Sequence, residues 1–388
     1  MNAEIYAYLE TRLDDFLSDL ALLVSMDSYS FDKEDVNHVN DWLEKRLNKM
    51  GFTVVRHPNE KFGDDLAATR NGKGAGRLML LGHTDTVYPH GIAAQRPLSF
   101  QGDKILGPGV GDMKGGLLTA IYAIEALDAV GFDNYGEIIY FTVSDEEIDE
   151  RHAVPLIREI SRRSDVALTL EGARANGDIV VARKGVRSFV AEAFGHPAHS
   201  GVEPEKGHHA ILALAHQIIA LQALNDPVDQ ISLNVGVIEG GQLRNIVPAY
   251  ARIHFEARAF TPELLERITK QVYEVFERET VPGVTFKVSY SEAMPPMPRT
   301  EAVAALEAMA GRIADELGFN AKGARTGGAG DASFVADEGV PVLDGLGPQG
   351  GLDHGPDEYI LKSSIVPRAT LLARMLKEFA EQKSAETA

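Results

Sequence analysis

Apolar and polar positions change period repeatedly along the first half of the chain. Helical periodicity is found over residues 3–26, 34–50, 114–130 and 152–163. Short apolar runs typical of strands lie at residues 52–56, 65–70, 76–82, 137–143 and 165–170. Strands that alternate with helices indicate an α/β sheet with helices on its faces. The first half of the chain is therefore predicted to be an α/β domain.

The pattern changes after about Ala182 and then returns. Strand-like runs and helical segments follow in the order β-α-β-β-α-β, which is the order of a ferredoxin-like unit; they occupy residues 186–194, 208–224, 231–238, 249–258, 262–279 and 284–290. Beyond the proline-rich residues 294–298, α/β alternation resumes to a tail that we expect to fray from about Gln382. We therefore predict an α/β catalytic domain, residues 1–182 and 297–388, with a ferredoxin-like domain inserted at residues 183–296.

Composition narrows the chemistry that the chain can perform. Its 388 residues are too many for one ordinary core, in agreement with two domains. A net charge of −19 argues against nucleic acid and anionic membranes as partners. The absence of cysteine excludes thiolate ligands and thiol nucleophiles, so any metal must be held by histidines and carboxylates. The N-terminal residues do not resemble a signal peptide, and a cytoplasmic protein is expected.

One strand ends in a candidate metal ligand. The apolar run 78–81 is followed by Gly82, His83 and, two residues later, Asp85. Such a run is typical of a buried strand in a parallel sheet, and open α/β sheets bind ligands where their strands end. Asp85 is close enough in sequence to hold one imidazole nitrogen while the other nitrogen binds a metal. The pattern predicts a metal-dependent hydrolase.

Further acidic and imidazole side chains fall at comparable positions. Glu146 and Glu147 follow one predicted strand, Glu171 follows another, and Asp112 and His354 lie in glycine-rich loops. Strand ends of one sheet converge on one crevice, where carboxylates would repel one another. Two divalent cations would offset the charges of Asp112, Glu147 and Glu171. Glu146 would remain outside the ligand set, as a general base that accepts a proton from water.

The motifs that contain these residues also resemble a known family. The sequence resembles the M20 metallopeptidases, a family of dinuclear zinc enzymes that includes glutamate carboxypeptidase and the acyl-amino-acid hydrolases. The resemblance covers nearly the whole chain and rests on the order of several short motifs. These motifs are residues 82–87, 107–116, 145–147, 195–201, 245–249 and 325–328, together with the His354 loop.

The resemblance implies a specific set of metal ligands. Asp112 would bridge two divalent metal ions, with His83 and Glu171 completing one site and Glu147 and His354 completing the other. Zinc is the expected metal, with manganese or cobalt as alternatives. A glutamate at position 171 is the choice usual in carboxypeptidases and deacylases of the family, in contrast to aminopeptidases.

The resemblance also implies roles outside the ligand set. Glu146 would be the general base and Asp85 would orient His83. His199, in the inserted lid and dimerisation domain, would stabilise the oxyanion, in its own subunit or in its partner's. Substrate contacts would come from a polar side chain and two arginines suited to a carboxylate; these residues are Asn245, Arg258 and Arg325.

Two departures from the family pattern concern the substrate. Residues 148–152 are bulky and charged where the family has small residues, and Met113 stands where an acidic residue often follows the bridging aspartate. The expected function is a carboxypeptidase that releases a C-terminal, glutamate-like amino acid from a peptide or N-acyl conjugate. The segment 148–152 motivates an alternative, an aminohydrolase or deacylase acting on a non-peptide, for example aromatic, amine or amide.

A third hypothesis is a metal-binding scaffold that has lost catalysis. Glu146 argues against it, because a binding module does not need a general base. The expected partners are a small-molecule or peptide substrate with a free carboxylate and a second copy of the chain, with neither nucleic acid nor membrane.

Overall fold

The computed structural model describes residues 2–148 and 152–387. Asp149, Glu150 and Arg151, which belong to the unusual segment 148–152, lie outside the described residues. The chain forms two compact units. The first comprises Met1–Val181, Arg299–Arg325 and Phe334–Ala388, and the second comprises Ala182–Pro298 and Thr326–Ser333. The sequence-based division differs from these units by one or two residues at the two main junctions, and it placed Thr326–Ser333 in the catalytic domain.

The helices begin and end close to the periodic segments of the sequence. Asp32 and Thr300 accept backbone N–H groups of the first turn at the starts of two of them, and Gly318, with a φ of 81°, ends one. None of the described helices is long and apolar enough to cross a membrane. The helices are α1 (Asn2–Thr11), α2 (Leu13–Val24), α3 (Lys33–Lys49), α4 (Ile92–Gln95), α5 (Gly115–Ala129), α6 (Val154–Ser161), α7 (Ala210–Gln222), α8 (Pro262–Phe276), α9 (Glu301–Leu317), α10 (Ala332–Asp337) and α11 (Ile365–Thr387).

The strands are more numerous than the apolar runs indicated. They are β1 (Thr53–His57), β2 (Asp65–Asn71), β3 (Arg77–His83), β4 (Ser99–Gln101), β5 (Lys104–Leu106), β6 (Glu137–Val143), β7 (Val166–Thr169), β8 (Ile179–Arg183), β9 (Gly185–Phe194), β10 (Ser232–Gly240), β11 (Tyr250–Ala259), β12 (Thr285–Met294), β13 (Gly323–Thr326), β14 (Val342–Leu343), β15 (Gly350–Gly351) and β16 (Tyr359–Leu361).

The main sheet of the first unit has six strands in the order β1-β2-β6-β3-β7-β14. Strand β3 runs parallel to both of its neighbours, β6 and β7, and β14 runs parallel to β7. Strands β1 and β2 are antiparallel additions at one edge. Five buried residues in succession, from Leu78 to Gly82, explain why β3 lies in the middle of the sheet. The predicted α/β sheet, with β3 as a buried parallel strand, is confirmed.

A second, smaller sheet in the first unit was not predicted. Its order is β15-β16-β5-β4, and all of its pairings are antiparallel. The strands have only two or three residues each, too few for an alternating pattern to be recognised in sequence. This sheet places the residues that follow β5 beside those that precede β16, and both of these segments reach the candidate site.

The second unit has the ferredoxin-like order that the sequence predicts. Its four antiparallel strands are arranged β10-β11-β9-β12, and α7 and α8 pack on them through an apolar core. On β11, buried residues alternate with partly buried ones because one face of the sheet meets these helices. The inserted ferredoxin-like element of the predicted fold class is therefore present.

The expected fraying of the tail from about Gln382 is wrong. Helix α11 continues to Thr387, and the Ser384 hydroxyl accepts a hydrogen bond of 3.0 Å from the Ala75 backbone N–H. Lys383 pairs with Glu386 one turn away, at 2.8 Å. The Ala75–Ser384 hydrogen bond holds this part of α11 against the rest of the unit, and the Lys383–Glu386 pair lies within the helix itself.

Candidate metal centre

Three neighbouring parallel strands deliver four of the predicted site residues to one edge of the sheet. His83 is the last residue of β3, Glu146 and Glu147 follow the end of β6, and Glu171 follows the end of β7. In the register of the sheet, His83 lies opposite Val143 and Leu81 lies opposite Thr169. Parallel strands end at the same edge, so their side chains meet there.

Glycines allow the loop that carries Asp112 to approach this edge. Gly109 has a φ of 70°, and a Cβ there would lie 2.8 Å from the Thr86 side chain. A Cβ on Gly116, at the start of α5, would lie 1.7 Å from the carbonyl oxygen of Leu170, the residue before Glu171. The helix therefore begins in contact with the strand end, and Asp112 lies on the turn that precedes it.

The predicted ligands form two clusters that share Asp112. In the first, His83 Nε2 lies 2.9 Å from Asp112 Oδ1 and 3.5 Å from Glu171 Oε1. In the second, His354 Nε2 lies 3.1 Å from Asp112 Oδ2 and 3.0 Å from Glu147 Oε2. Within each cluster the three ligand atoms lie within 4.8 Å of one another. The two oxygens of Asp112 therefore face two different imidazoles.

Burial disfavours the charged forms of the two glutamates in the clusters. Burial, and next the charge of Asp112, raise the pKa of Glu171 to about 8, and burial raises that of Glu147 to about 7. Burial by itself would raise the pKa of Asp112, but hydrogen bonds with His354 and His83 lower it well below its usual value. Bound cations would favour the charged form of every one of these carboxylates.

The donor set fits two divalent metal ions. Each cluster supplies one imidazole nitrogen and two carboxylate groups, the donors that zinc, manganese and cobalt accept in proteins. Among the described residues, Oε1 of Glu147 is a buried oxygen without a hydrogen-bond partner. A buried carboxylate oxygen in this condition is costly unless a ligand or ion satisfies it. The residues present are thus compatible with a dinuclear centre.

Behind His83 lies a layer of hydrogen bonds that includes Asp85. Nδ1 of His83 lies 3.0 Å from the backbone oxygen of Asp85 and 3.4 Å from its carboxylate. The carboxylate accepts from the Ser30 hydroxyl at 2.7 Å and from the N–H groups of Glu146 and Glu147 at 3.3 and 3.2 Å. Asp85 therefore links the histidine to the turn that carries the two glutamates. Ser30 was not identified from the sequence.

Glu146 lies beside both clusters but belongs to neither. Its negative charge is among the causes that raise the pKa of Glu147 and of Glu171, although burial is the largest cause for both. Its side chain is partly exposed. This position, next to the ligands and accessible to solvent, is suitable for a group that exchanges protons with water.

The remaining predicted site residues do not belong to these clusters. His199, Asn245 and Arg258 belong to the second unit. The backbone N–H of Ser200 donates to the backbone oxygen of Asn245 at 3.1 Å, so His199 and Asn245 lie on adjacent loops. Arg325 is exposed on β13. Their roles towards substrate stay predictions.

Two of these side chains have informative partners within their own unit. Nδ1 of His199 accepts a hydrogen bond of 3.2 Å from the Gly201 N–H, so the neutral ring carries its proton on Nε2. Arg258 is paired with Glu256 on the same strand through Nε at 2.8 Å and Nη2 at 3.1 Å, and its Nη1 donates to the Gly327 oxygen at 2.9 Å. One bidentate edge of this arginine is thus already engaged.

A third group with metal-ligand atoms in range was not predicted. Asp27, Asp35 and His90 have ligand atoms within 4.8 Å of one another. Both oxygens of Asp27 accept backbone N–H groups, from Gly91 at 2.7 Å and Ala93 at 2.8 Å, and Asp35 pairs with His90 at 2.8 Å. These contacts fasten the loop before α4, and they account for the group without a metal.

Asp65, at the start of β2, predicts a pH dependence of stability. Burial, and next the charge of Asp145, raise its pKa to about 7. The folded protein therefore binds this proton more tightly than the unfolded chain, in which the pKa of aspartate is about 4. The contribution of Asp65 to the free energy of unfolding is greatest below about pH 4 and falls by up to about 4 kcal/mol as the pH rises to about 7.

Asp65→Asn should remove that fall and make the metal-free protein more stable than the wild type at neutral pH. The substitution preserves Oδ1, which accepts from the Ser144 N–H at 3.1 Å and the Ser144 hydroxyl at 3.0 Å. Denaturant unfolding of both proteins between about pH 4 and 8 measures the difference. Parallel curves of unfolding free energy against pH would contradict the assignment.

Comparison with known proteins agrees with this geometry. Residues 79–378 match the peptidase family M20/M25/M40. The chain is 28% identical over 379 residues to carboxypeptidase G2 of Pseudomonas sp. (strain RS-16), covering 95% of this chain and 90% of that protein. It is 28% identical over 409 residues to acetylornithine deacetylase of Yersinia pestis, covering 97% of this chain and all of that protein (100%).

The fold is also that of a solved structure from the same group. The aminopeptidase PepT of Bacillus cereus ATCC 10987 superposes with a TM-score of 0.81 at 23% identity, over 95% of this chain and 99% of that chain. The family match covers most of the chain and includes the strand ends and loops of the two clusters. The chain therefore belongs to peptidase family M20/M25/M40 and is a metal-dependent hydrolase.

Proposed function

We propose that this chain is a dinuclear carboxypeptidase that releases a C-terminal, glutamate-like amino acid from a peptide or N-acyl conjugate. The observation that carries the proposal is the pair of His-carboxylate clusters joined through the two oxygens of Asp112. A single shared carboxylate places two cations close together, as in two-metal hydrolytic sites. The names and coverage of the relatives support amide hydrolysis as the reaction class.

Five residues would hold the metals in this proposal. Asp112 would bridge them, His83 and Glu171 would complete one site, and Glu147 and His354 would complete the other. When bound, two such ions lower the pKa of a water molecule and polarise the scissile carbonyl group. Zinc is the proposed metal because imidazole and carboxylate groups are among its usual ligands, with manganese or cobalt as alternatives.

Glu146 is the proposed general base. Its carboxylate accepts a proton from the attacking water and passes that proton to the nitrogen of the departing amino acid, because the amine leaves readily only when protonated. The backbone N–H of Glu146 is bonded to Asp85, which also contacts His83. Asp85 is therefore proposed to orient His83, to which its backbone oxygen lies closest, and to hold the turn that carries the base through its carboxylate.

His199 is proposed to stabilise the oxyanion, in its own subunit or in the partner subunit of a homodimer. The Gly201 N–H occupies Nδ1, which leaves Nε2–H as the donor that the ring presents. An N–H donor directed at a developing negative charge binds the oxyanion of the transition state more strongly than it binds the uncharged carbonyl group of the substrate. Dimerisation is a part of the proposal that rests on the family resemblance, and a cytoplasmic location is likewise proposed.

The free carboxylate of the substrate is proposed to be bound by Arg258 and Arg325, with Asn245 as a further polar contact. Guanidinium groups bind carboxylates with two parallel hydrogen bonds. Glu256 occupies the edge of Arg258 that contains Nε and Nη2, and Nη1 donates to the Gly327 oxygen, so a substrate carboxylate would have to share the guanidinium group with these two partners.

A second candidate function is favoured by the same ion pair. Glu256 offsets the charge of Arg258, which weakens its attraction for a second carboxylate. An aminohydrolase or deacylase that acts on a non-peptide amine or amide would not need this arginine to bind a carboxylate. The acetylornithine deacetylase among the relatives is named for deacylation and not for peptide cleavage.

A matched substrate panel separates the two functions. The protein is loaded in turn with zinc, manganese and cobalt and supplied with N-acyl amino acids, dipeptides, aminobenzoyl conjugates and the carboxamide analogue of each. The carboxypeptidase proposal expects turnover only where a free carboxylate neighbours the amide, with the released amino acid identified by mass spectrometry. Turnover of the carboxamides at comparable kcat/KM, or of non-peptide amines alone, would overturn it in favour of the second function.

A further inference from the structure

Glu358 is a buried carboxylate that the proposed reaction does not use. Its side chain is fully buried, at 0% exposure, and it precedes β16. Four neutral donors converge on its two oxygens. Oε1 accepts from the N–H groups of Gly111 at 2.8 Å and Asp112 at 3.0 Å, and Oε2 accepts from the Gly109 N–H at 3.0 Å and lies 2.6 Å from the Tyr88 hydroxyl.

The small antiparallel sheet explains why Glu358 meets this loop. In that sheet Tyr359 pairs with Leu106, so the residue before Tyr359 lies beside the residues that follow Leu106. Those residues are the glycine-rich turn that ends in Asp112. Glu358 therefore receives the N–H groups of a turn whose backbone donors have no strand to pair with.

The same carboxylate is connected to the His354 loop. The Tyr88 hydroxyl lies 2.9 Å from the Gly355 carbonyl oxygen as well as 2.6 Å from Glu358. Arg96 lies against the Tyr88 ring, 5.0 Å from its centre, and Nη2 donates to the carbonyl oxygens of Gly355 and Pro356 at 3.0 and 2.8 Å. The residues immediately after His354 are thus fixed by Tyr88, which contacts Glu358, and by Arg96, which contacts Tyr88.

We propose that Glu358 is a positioning residue that sets the distance and orientation of Asp112 relative to His354, and thereby the geometry of the shared metal site. The inference rests on the proposed function in that Asp112 and His354 are taken as metal ligands. Glu358 contacts neither substrate nor metal in this proposal and acts only through the two loops that it joins.

Only a carboxylate suits this position. Its two oxygens accept from four directions and offer no hydrogen of their own. Glutamine has the same shape, but its amide nitrogen replaces one of the oxygens and would point its hydrogens at N–H or O–H donors. At least one pair of buried donors would then be left without an acceptor, and the turn would move to satisfy them.

Cobalt(II) is a suitable probe because its visible absorption reports the coordination of each ion. Glu358→Gln is expected to weaken binding of the more weakly held Co²⁺ by about 10- to 100-fold, the range found for outer-shell partners of metal ligands. It should also change the absorption spectrum of the loaded protein. Glu358→Asp, which restores both oxygens on a shorter side chain, should recover part of the affinity.

Two further variants keep the test decisive. Tyr88→Phe removes one donor and leaves the packing of the ring, so it should fold and show a smaller change of the same kind. Glu125→Gln is the matched control, because this half-buried glutamate pairs with Arg46 at 2.8 Å and contacts neither loop. It should alter stability without changing Co²⁺ affinity or the spectrum.

The outcomes separate this proposal from the proposed function. If Glu358→Gln and Tyr88→Phe fold and match the wild type in Co²⁺ affinity and spectrum, the positioning role is overturned, even if both proteins melt at lower temperature. If Glu358→Gln does not fold, Tyr88→Phe alone decides by the same two readouts. If the wild type itself binds no Co²⁺, the proposed function fails. If the wild type binds two Co²⁺ ions but hydrolyses no substrate, the positioning role stands and the proposed reaction fails.

Discussion

Glu146→Gln should reduce kcat by about 100- to 10,000-fold while leaving bound metal near the wild-type amount. The loss is that expected when a general base is removed, because an amide does not accept a proton from water. Metal should be retained because Glu146 belongs to neither of the two ligand clusters. Steady-state kinetics on the best substrate of the panel and elemental analysis of the same sample measure both quantities.

The adjacent residue provides the matched control. Glu147→Gln makes the same chemical change one position along the chain, but Glu147 lies 3.0 Å from His354 and has a buried oxygen with no hydrogen-bond partner in the part of the chain that the structure describes. It should lose both turnover and about one equivalent of metal. If Glu146→Gln retained wild-type turnover, or if it lost metal as Glu147→Gln does, Glu146 would not be the base.

Asp112→Asn should have the largest effect on the site, with loss of both metals and of measurable turnover. The carboxylate has one oxygen directed to each cluster, whereas an asparagine offers a single neutral oxygen and an NH₂ group that cannot ligate. We expect metal affinity to fall by more than the roughly 100-fold seen when only an outer-shell partner is lost. Equilibrium dialysis against zinc, followed by metal analysis, measures the change.

Asp128→Asn is the control for Asp112→Asn. Asp128 lies near the far end of α5, where it pairs with Arg70 at 2.8 Å, and its loss removes the same charge from the chain without touching either cluster. It should bind two equivalents of metal. Should Asp112→Asn bind two equivalents as well, the bridging role would be excluded.

The strand ends of the site could be predicted from the sequence because a buried parallel strand has a strong local signal. The apolar run before His83 predicted strand β3 and the position of the ligand at its end. The runs before Glu146 and Glu171 predicted the strands that became β6 and β7. Parallel pairing then places all three ends at one edge. The meeting of His354 with Asp112 was inferred from the family resemblance, since no periodicity indicates which loops approach each other.

The supporting residues were missed because their signals are not local. Ser30 contacts Asp85 from 55 positions away, and Glu358 contacts Asp112 from 246 positions away. A buried glutamate in a loop has the same appearance in sequence as an exposed one. The strands that bring Glu358 to its partners have two or three residues, too short for a pattern. The pairing of Arg258 with Glu256 was not predicted, although alternate residues of a strand share a face.

The most direct test of the two-metal centre is a crystal structure of the zinc-loaded protein with anomalous data collected at the zinc edge. Two anomalous peaks roughly 3.5–4 Å apart are expected. One peak should contact His83, Asp112 and Glu171, and the other should contact Asp112, Glu147 and His354. A single peak, or two peaks that do not share Asp112, would contradict a two-metal centre bridged by this residue.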